Sequence, residues 1–211
     1  MISDYPLVML LYQNIQQLLA ERYGNEAAGI CCAPLCELIA FYIQGMDYWC
    51  ISLAYVRHNV IELGIVYAPD RDEFFVARRG KGAFLNEQRL TLREPDPETV
   101  VIGIGRSSRA PVENYTRALC RVLNGGMEYR RFGAGALMLA HVASGQVHAY
   151  YEEHMNSWDA LAGMLLIEEA GGTCNAFLAN AGLRRGNLVL AGCARTPVDP
   201  SPRPTGQQAA P

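Results

Sequence analysis

The sequence predicts a layered α/β or α+β fold, and three features carry that prediction. From Trp49 to Asn86, short β-type segments alternate with turn residues, as in an antiparallel meander. After Thr99, strand-like and helical segments alternate. Half of the 211 residues are hydrophobic and 18% are charged, a composition that can bury a large core. One domain is therefore expected over residues 1–195, with an N-terminal lobe of about 1–105 and a C-terminal lobe of about 106–195.

The elements follow in order. Asp4 and Pro6 start a helix, and Leu7, Leu10, Leu11, Ile15, Leu18 and Leu19 recur at helical spacing up to Gly24. Asn25 to Tyr42 has no clear period and holds three cysteines. WCISLAYVR, a His58-Asn59 turn and VIELGIVY make a hairpin. Ala68-Pro69-Asp70 breaks it, and EFFVA, a Gly80-Lys81-Gly82 turn and AFLN extend the meander. Arg93 to Glu98 is a loop and TVVIGIG a short strand. Pro111 opens a helix that ends at Gly125-Gly126. MEYRRF is a strand, Ala136–Ala143 a helix, QVHAYYE a strand, Ser157–Ala170 a helix stopped by Gly171-Gly172, and NLVLAG the last strand. Thr196 to Pro211 has five prolines in sixteen residues and reads as a disordered tail.

Charge and composition exclude some functions. Eighteen basic against 21 acidic residues give a formal charge of −3, without a basic block, which disfavours nucleic acid polymers as partners. No apolar run reaches the roughly 18 residues a membrane span needs. Asp4 stands where a signal peptide carries a positive charge, so the chain reads as cytoplasmic with no membrane partner. Seven cysteines, with no Cys-x-x-Cys pair, read as reduced small hydrophobes.

The segment 152–172 carries the chemistry. Ser157-Trp158-Asp159 precedes the apolar helix LAGMLLIEEAGG, so Asp159 falls in a first turn where the helix dipole favours a carboxylate. Trp158 would fix that carboxylate against the core, and Glu152 lies just upstream at a strand end. A rigid acid with a second acid nearby suits a hard, oxygen-preferring cation. Read alone, Glu152 is equally a solvated strand-end acid.

WDALAGMLLIEEAGG resembles the C-terminal signature of the inositol monophosphatase family. YAPDRDEFFVARRGKGAFLNEQRL resembles that family's central meander, and RRFGAGALMLAHVASGQVHAYYE its Arg-x-x-Gly helix and following strand. The likeness runs from about Gly45 to Gly192, roughly two-thirds of the chain. It implies an αβαβα sandwich of the inositol monophosphatase and fructose-1,6-bisphosphatase type, N-terminally shortened. It also implies a Mg2+-dependent phosphomonoesterase, homodimeric, acting on a small phosphorylated metabolite. By the same resemblance Asp159 binds metal beside the substrate, Glu152 accepts substrate hydroxyls, and Gly133, Ala134 and Arg130 line the pocket.

The family's other metal motif, Asp-Pro-(Ile/Leu)-Asp-Gly-Thr, is degraded. Ala33-Pro34-Leu35-Cys36-Glu37 stands in its place, so the first Asp is Ala33 and the second is Cys36, or Glu37 after a one-residue shift. Glu37 is then the candidate metal ligand and catalytic partner of Asp159, and Glu26 a candidate third ligand from Gly24-Asn25-Glu26. Cys36 is a soft ligand and a poor match for Mg2+. Weak or single-metal binding and impaired hydrolysis are expected. The alternative is a catalytically inactive member, or a frame-damaged fragment, serving as a binding or dimerisation domain.

Overall fold

Alternation of apolar and polar residues in the meander builds the first sheet. In the computed structural model the described residues are the backbone of 30–32 and the whole of 45–193. The helix expected from Asp4, the candidate ligands Glu26 and Glu37, and the tail from Thr196 lie outside them. Among the described residues, β1 (Ile30–Cys32), β2 (Ile51–Arg57), β3 (Val60–Ala68), β4 (Glu73–Arg78), β5 (Gly82–Leu85) and β6 (Gln88–Arg89) form a six-stranded antiparallel sheet in sequence order. The β2–β3 turn puts His58 at φ 49° and Asn59 at φ 61°, the positive values a two-residue type I′ turn requires.

The second sheet holds β7 (Val101–Ile104), β8 (Glu128–Arg130), β9 (Ala149–Met155), β10 (Thr173–Cys174) and β11 (Asn187–Gly192), in the order β10-β11-β9-β7-β8. β7 runs parallel to both β8 and β9. The parallel pairs need crossovers, supplied by α1 (Val112–Asn124) and α2 (Gly135–Ala143). α3 (Ser157–Glu169) follows β9, and a single turn, α4 (Gly182–Arg185), precedes β11.

α2 and α3 lie between the two sheets. Every residue of α2 is buried, as is most of α3, which explains why neither shows an amphipathic stripe. Gly64 of β3 lets α3 approach closely: a Cβ there would stand 2.7 Å from the Ala162 carbonyl oxygen. On the far face of the second sheet, Ala118 and Val122 of α1 pack on Ile102, Ile104 and Tyr151. The described layers are thus sheet, helix pair, sheet, helix, which are four of the five in an αβαβα sandwich.

Several boundaries differ from the sequence reading. β9 begins at Ala149 because the amides of Gln146 and Val147 cap α2 through the His141 carbonyl. β8 covers three of the six residues of MEYRRF. β1, β6, β10 and α4 are too short to show a period. Glu168 and Glu169, at the end of α3, turn onto the β4–β5 hairpin. Arg79 donates to Glu168 Oε2 at 2.6 Å, and the amides of Gly80 and Gly82 each donate to the Glu169 carboxylate at 2.8 Å. Among the described residues Cys50, Cys120, Cys174 and Cys193 are free thiols. No helix among the described residues is long and apolar enough to cross a membrane.

Candidate functional site

The carboxyl ends of the parallel strands β8, β7 and β9 open on one side of the second sheet, the position at which open α/β sheets bind ligands. β9 ends at Met155 and α3 starts at Ser157, with Asn156 as its cap. The Asn156 side chain makes no cap bond to the helix; its Oδ1 accepts from Arg109 Nη1 at 2.9 Å. Its carbonyl accepts the amides of Asp159 and Ala160 at 3.2 and 3.1 Å. Asp159 therefore stands in the first turn, with the dipole favouring its charged form. The turn is pinned on both sides: Ser157 Oγ donates to the Leu183 carbonyl, and Ser52 Oγ of β2 donates to the Trp158 carbonyl.

Glu152 accepts from the Tyr150 hydroxyl at 2.7 Å. Two glycines make room for this pair. A Cβ on Gly105 would stand 2.1 Å from Glu152 Oε2 and 2.2 Å from the Tyr150 hydroxyl, and one on Gly135 would stand 3.1 Å from that hydroxyl. Gly105 follows β7 and Gly135 opens α2, so an acid on one strand depends on small residues from two other elements. At Gly133 the chain takes φ 94° to turn into α2, and Ala134, buried, is that helix's cap residue.

The cleft has two lobes. The outer lobe, of about 200 Å3, is lined by Ser107, Ser108, Arg109, Asn156 and Asp159. The inner lobe, of about 90 Å3, is lined by Arg131, Phe132, Gly133 and Tyr150. Arg106 and Glu152 line both. Of the residues picked from sequence, Asp159, Glu152 and Gly133 come together here, with Ala134 beside them. Arg130 stays on β8, donating to Glu128 Oε2 at 3.3 Å and to the Tyr129 carbonyl at 2.8 Å, and Arg131 is the arginine of that segment in the cleft wall. Sequence reasoning missed Arg106 and Arg109. Their signal is a Gly-Arg-Ser-Ser-Arg run straight after a strand that pairs in parallel.

Behind the inner lobe lies a second polar network. The Tyr48 ring sits 4.8 Å from Phe132, and its hydroxyl bonds His141 Nδ1 at 2.9 Å. His141 Nε2 bonds Glu73 Oε2 at 2.9 Å, and Glu73 in turn meets Arg71 at 3.2 Å. Burial pushes the His141 pKa below its ordinary value of 6.5, against the opposing pull of Glu73. His141 is therefore a core histidine bonded at both nitrogens.

Glu152 and Asp159 are hard oxygen donors of the kind Mg2+ accepts. Among the described residues, however, no three His, Cys, Asp or Glu side chains are grouped so as to hold a metal ion. Two carboxylates in a lining shared with the guanidiniums of Arg106 and Arg109 do not by themselves fit a two-ion Mg2+ site.

A model of the inositol monophosphatase family matches residues 41–192. Among curated proteins, "Nus factor SuhB" of Haemophilus influenzae is 34% identical over 154 residues, covering 71% of this chain and 58% of that protein. "Inositol-1-monophosphatase" of Mesorhizobium japonicum is 36% identical over 134 residues, covering 62% of this chain and 50% of that protein. The chain thus spans about half to three-fifths of the length of these relatives. Among solved structures, an inositol monophosphatase from Anabaena (Nostoc) sp. PCC 7120 has a TM-score of 0.73 at 26% identity, covering 87% of this chain and 78% of that one. One from Thermotoga maritima has a TM-score of 0.70 at 25% identity, covering 87% and 75%.

Proposed function

Because the chain belongs to the inositol monophosphatase family, we propose that its cleft takes a small sugar, inositol or nucleotide phosphate and that its Mg2+-dependent phosphomonoesterase activity is impaired. One observation carries this reading: Glu152 and Asp159 share a single cleft with Arg106 and Arg109. Carboxylates accept hydrogen bonds from the hydroxyls of a polyol, and guanidiniums donate to phosphate oxygens, so this lining fits a phosphorylated polyol. Asp159 is held rigid by its helix turn, and Glu152 is oriented by Tyr150. The impairment follows from the donor set. Mg2+ needs converging oxygens in octahedral geometry, and Ala33 and Cys36 stand where the resemblance expects aspartates. Glu37 and Glu26 remain the candidate further ligands. The same reading has the protein act as a cytoplasmic homodimer.

A second reading, an inactive member that works by binding alone, is favoured by the same donor set and by the name "Nus factor" that several relatives bear.

A phosphate-release panel with and without Mg2+ separates the two. It would use inositol, fructose, histidinol and 3′-nucleotide phosphates, with Asp159→Asn as control. The expected result is slow release that needs Mg2+ and is lost in Asp159→Asn. Release that survives the substitution unchanged would remove Asp159 from the site, and no release under any condition would favour the binding-only reading.

A further inference from the structure

We propose that the cleft binds its phosphorylated ligand without a metal ion, with Arg106 and Arg109 taking the phosphate and Glu152 and Asp159 taking the ligand's hydroxyls. This rests on the reading of the cleft as a site for a phosphorylated metabolite, and adds how the anion is held and which way the ligand faces.

The arrangement of charge requires that orientation. Glu152 and Asp159 put two carboxylates in the lining of the outer lobe. A phosphate dianion placed against two carboxylates is repelled unless a cation stands between them. Among the described residues no group of three ligands exists to bring that cation. The loop after β7 lines the same lobe and brings to it two guanidiniums separated by two serines. A guanidinium binds phosphate through paired N–H donors and stays charged at any ordinary pH.

The two arginines differ in a useful way. Arg109 is pre-set: its Nη1 donates to Asn156 Oδ1 at 2.9 Å and lies 3.4 Å from His154 Nε2. Both contacts use Nη1, so among the described residues its Nε and Nη2 donors are left for a ligand. The loop is shaped for this, since Ser107 Oγ accepts the Arg109 amide at 3.2 Å. Arg106 makes no hydrogen bond or ion pair with the described residues, yet lines both lobes. With Glu152, it stands where the lobes meet. A polyol phosphate laid across the outer lobe thus places its anion against Arg106 and Arg109 and its hydroxyls against Glu152 and Asp159.

Calorimetric titration of the purified full chain with myo-inositol 1-phosphate tests this, once in EDTA and once in Mg2+. Arg106→Gln is the diagnostic variant because Arg106 is exposed and supports no other described contact; a thermal melt checks that it folds. The expected result is binding in EDTA, with Arg106→Gln weakening it about ten- to hundredfold, the cost of one lost charged hydrogen-bonding partner. Arg106→Lys should recover part of that affinity. Binding that appears only with Mg2+, or that is equal in wild type and Arg106→Gln, would overturn the proposal while leaving the cleft as a phosphorylated-metabolite site. Absence of binding both with and without Mg2+ would overturn the proposal and remove inositol phosphates from the ligands the cleft takes, a result that the phosphate-release panel checks independently.

Discussion

Buried within α2, His141 has hydrogen bonds at both ring nitrogens, one to Tyr48 and one to Glu73. Burial lowers its pKa from the ordinary 6.5, so the folded state favours the neutral ring. At a pH just below 6.5 the unfolded chain binds a proton at this site that the folded chain does not. The stabilisation is therefore complete above 6.5 and is lost as the pH falls through the lowered folded value. Thermal melts of wild type and His141→Gln between pH 8 and 5 should diverge in slope, with the wild type losing stability faster on acidification. Parallel curves would show that His141 does not titrate with unfolding. Legibility at this scale was uneven. Asp159 announced itself through Trp158 and an apolar helix. Arg106 and Arg109 sit in a serine-containing loop, where any arginine reads as solvated. Only the parallel pairing of β7 with β8 and β9 shows that this loop overlooks the cleft.

Pairs of elements are joined by contacts that no local pattern reveals. The Glu169 carboxylate, at the last residue of α3, receives two backbone amides from the β4–β5 turn, while Glu168 pairs with Arg79. A carboxylate at a helix C-terminus is mildly unfavourable by itself, so these turn amides supply the compensation. Glu169→Ala leaves both amides without that partner and should cost about 1–3 kcal/mol of stability. Glu169→Gln keeps one acceptor oxygen and should cost roughly half as much. Denaturant unfolding of the three proteins measures the order, and equal midpoints would show that the clamp contributes nothing. The long strands and helices of the meander and the sandwich were legible because period and turn residues agreed. The clamp was not, since it joins residues 87 and 89 positions apart in sequence. The same holds for Gly64, whose glycine is explained by the Ala162 backbone of a distant helix.

Across the whole molecule two apolar cores of unequal size determine where the fold is firm. The larger joins both sheets through α2 and α3, and seven residues of α3 are buried in it. The smaller lies under α1, which fully buries only Ala118 and Val122 and leaves Val112 and Leu123 exposed. β8, beside it, is an exposed three-residue edge strand. The layer order was legible from alternating strands and helices, but the inequality of the cores was not, because α1 shows the clearer amphipathic pattern of the three long helices. Local opening follows buried apolar contact, so α1 and β8 should open at lower free energy than α2 and α3. Hydrogen exchange read by mass spectrometry should show residues 112–124 exchanging well before 157–169. Equal rates would mean that the outer helix and the central pair unfold as one unit. The difference matters to the cleft because its cationic loop, Arg106 to Arg109, lies between firm β7 and the looser α1. A bound phosphate that bridges this loop to Glu152 and Asp159 ties the weaker layer to the stronger one. Myo-inositol 1-phosphate should therefore slow exchange in the loop and the first turn of α1 while leaving α3 beyond its first turn unchanged; protection confined to α3 would place the ligand on the carboxylates alone.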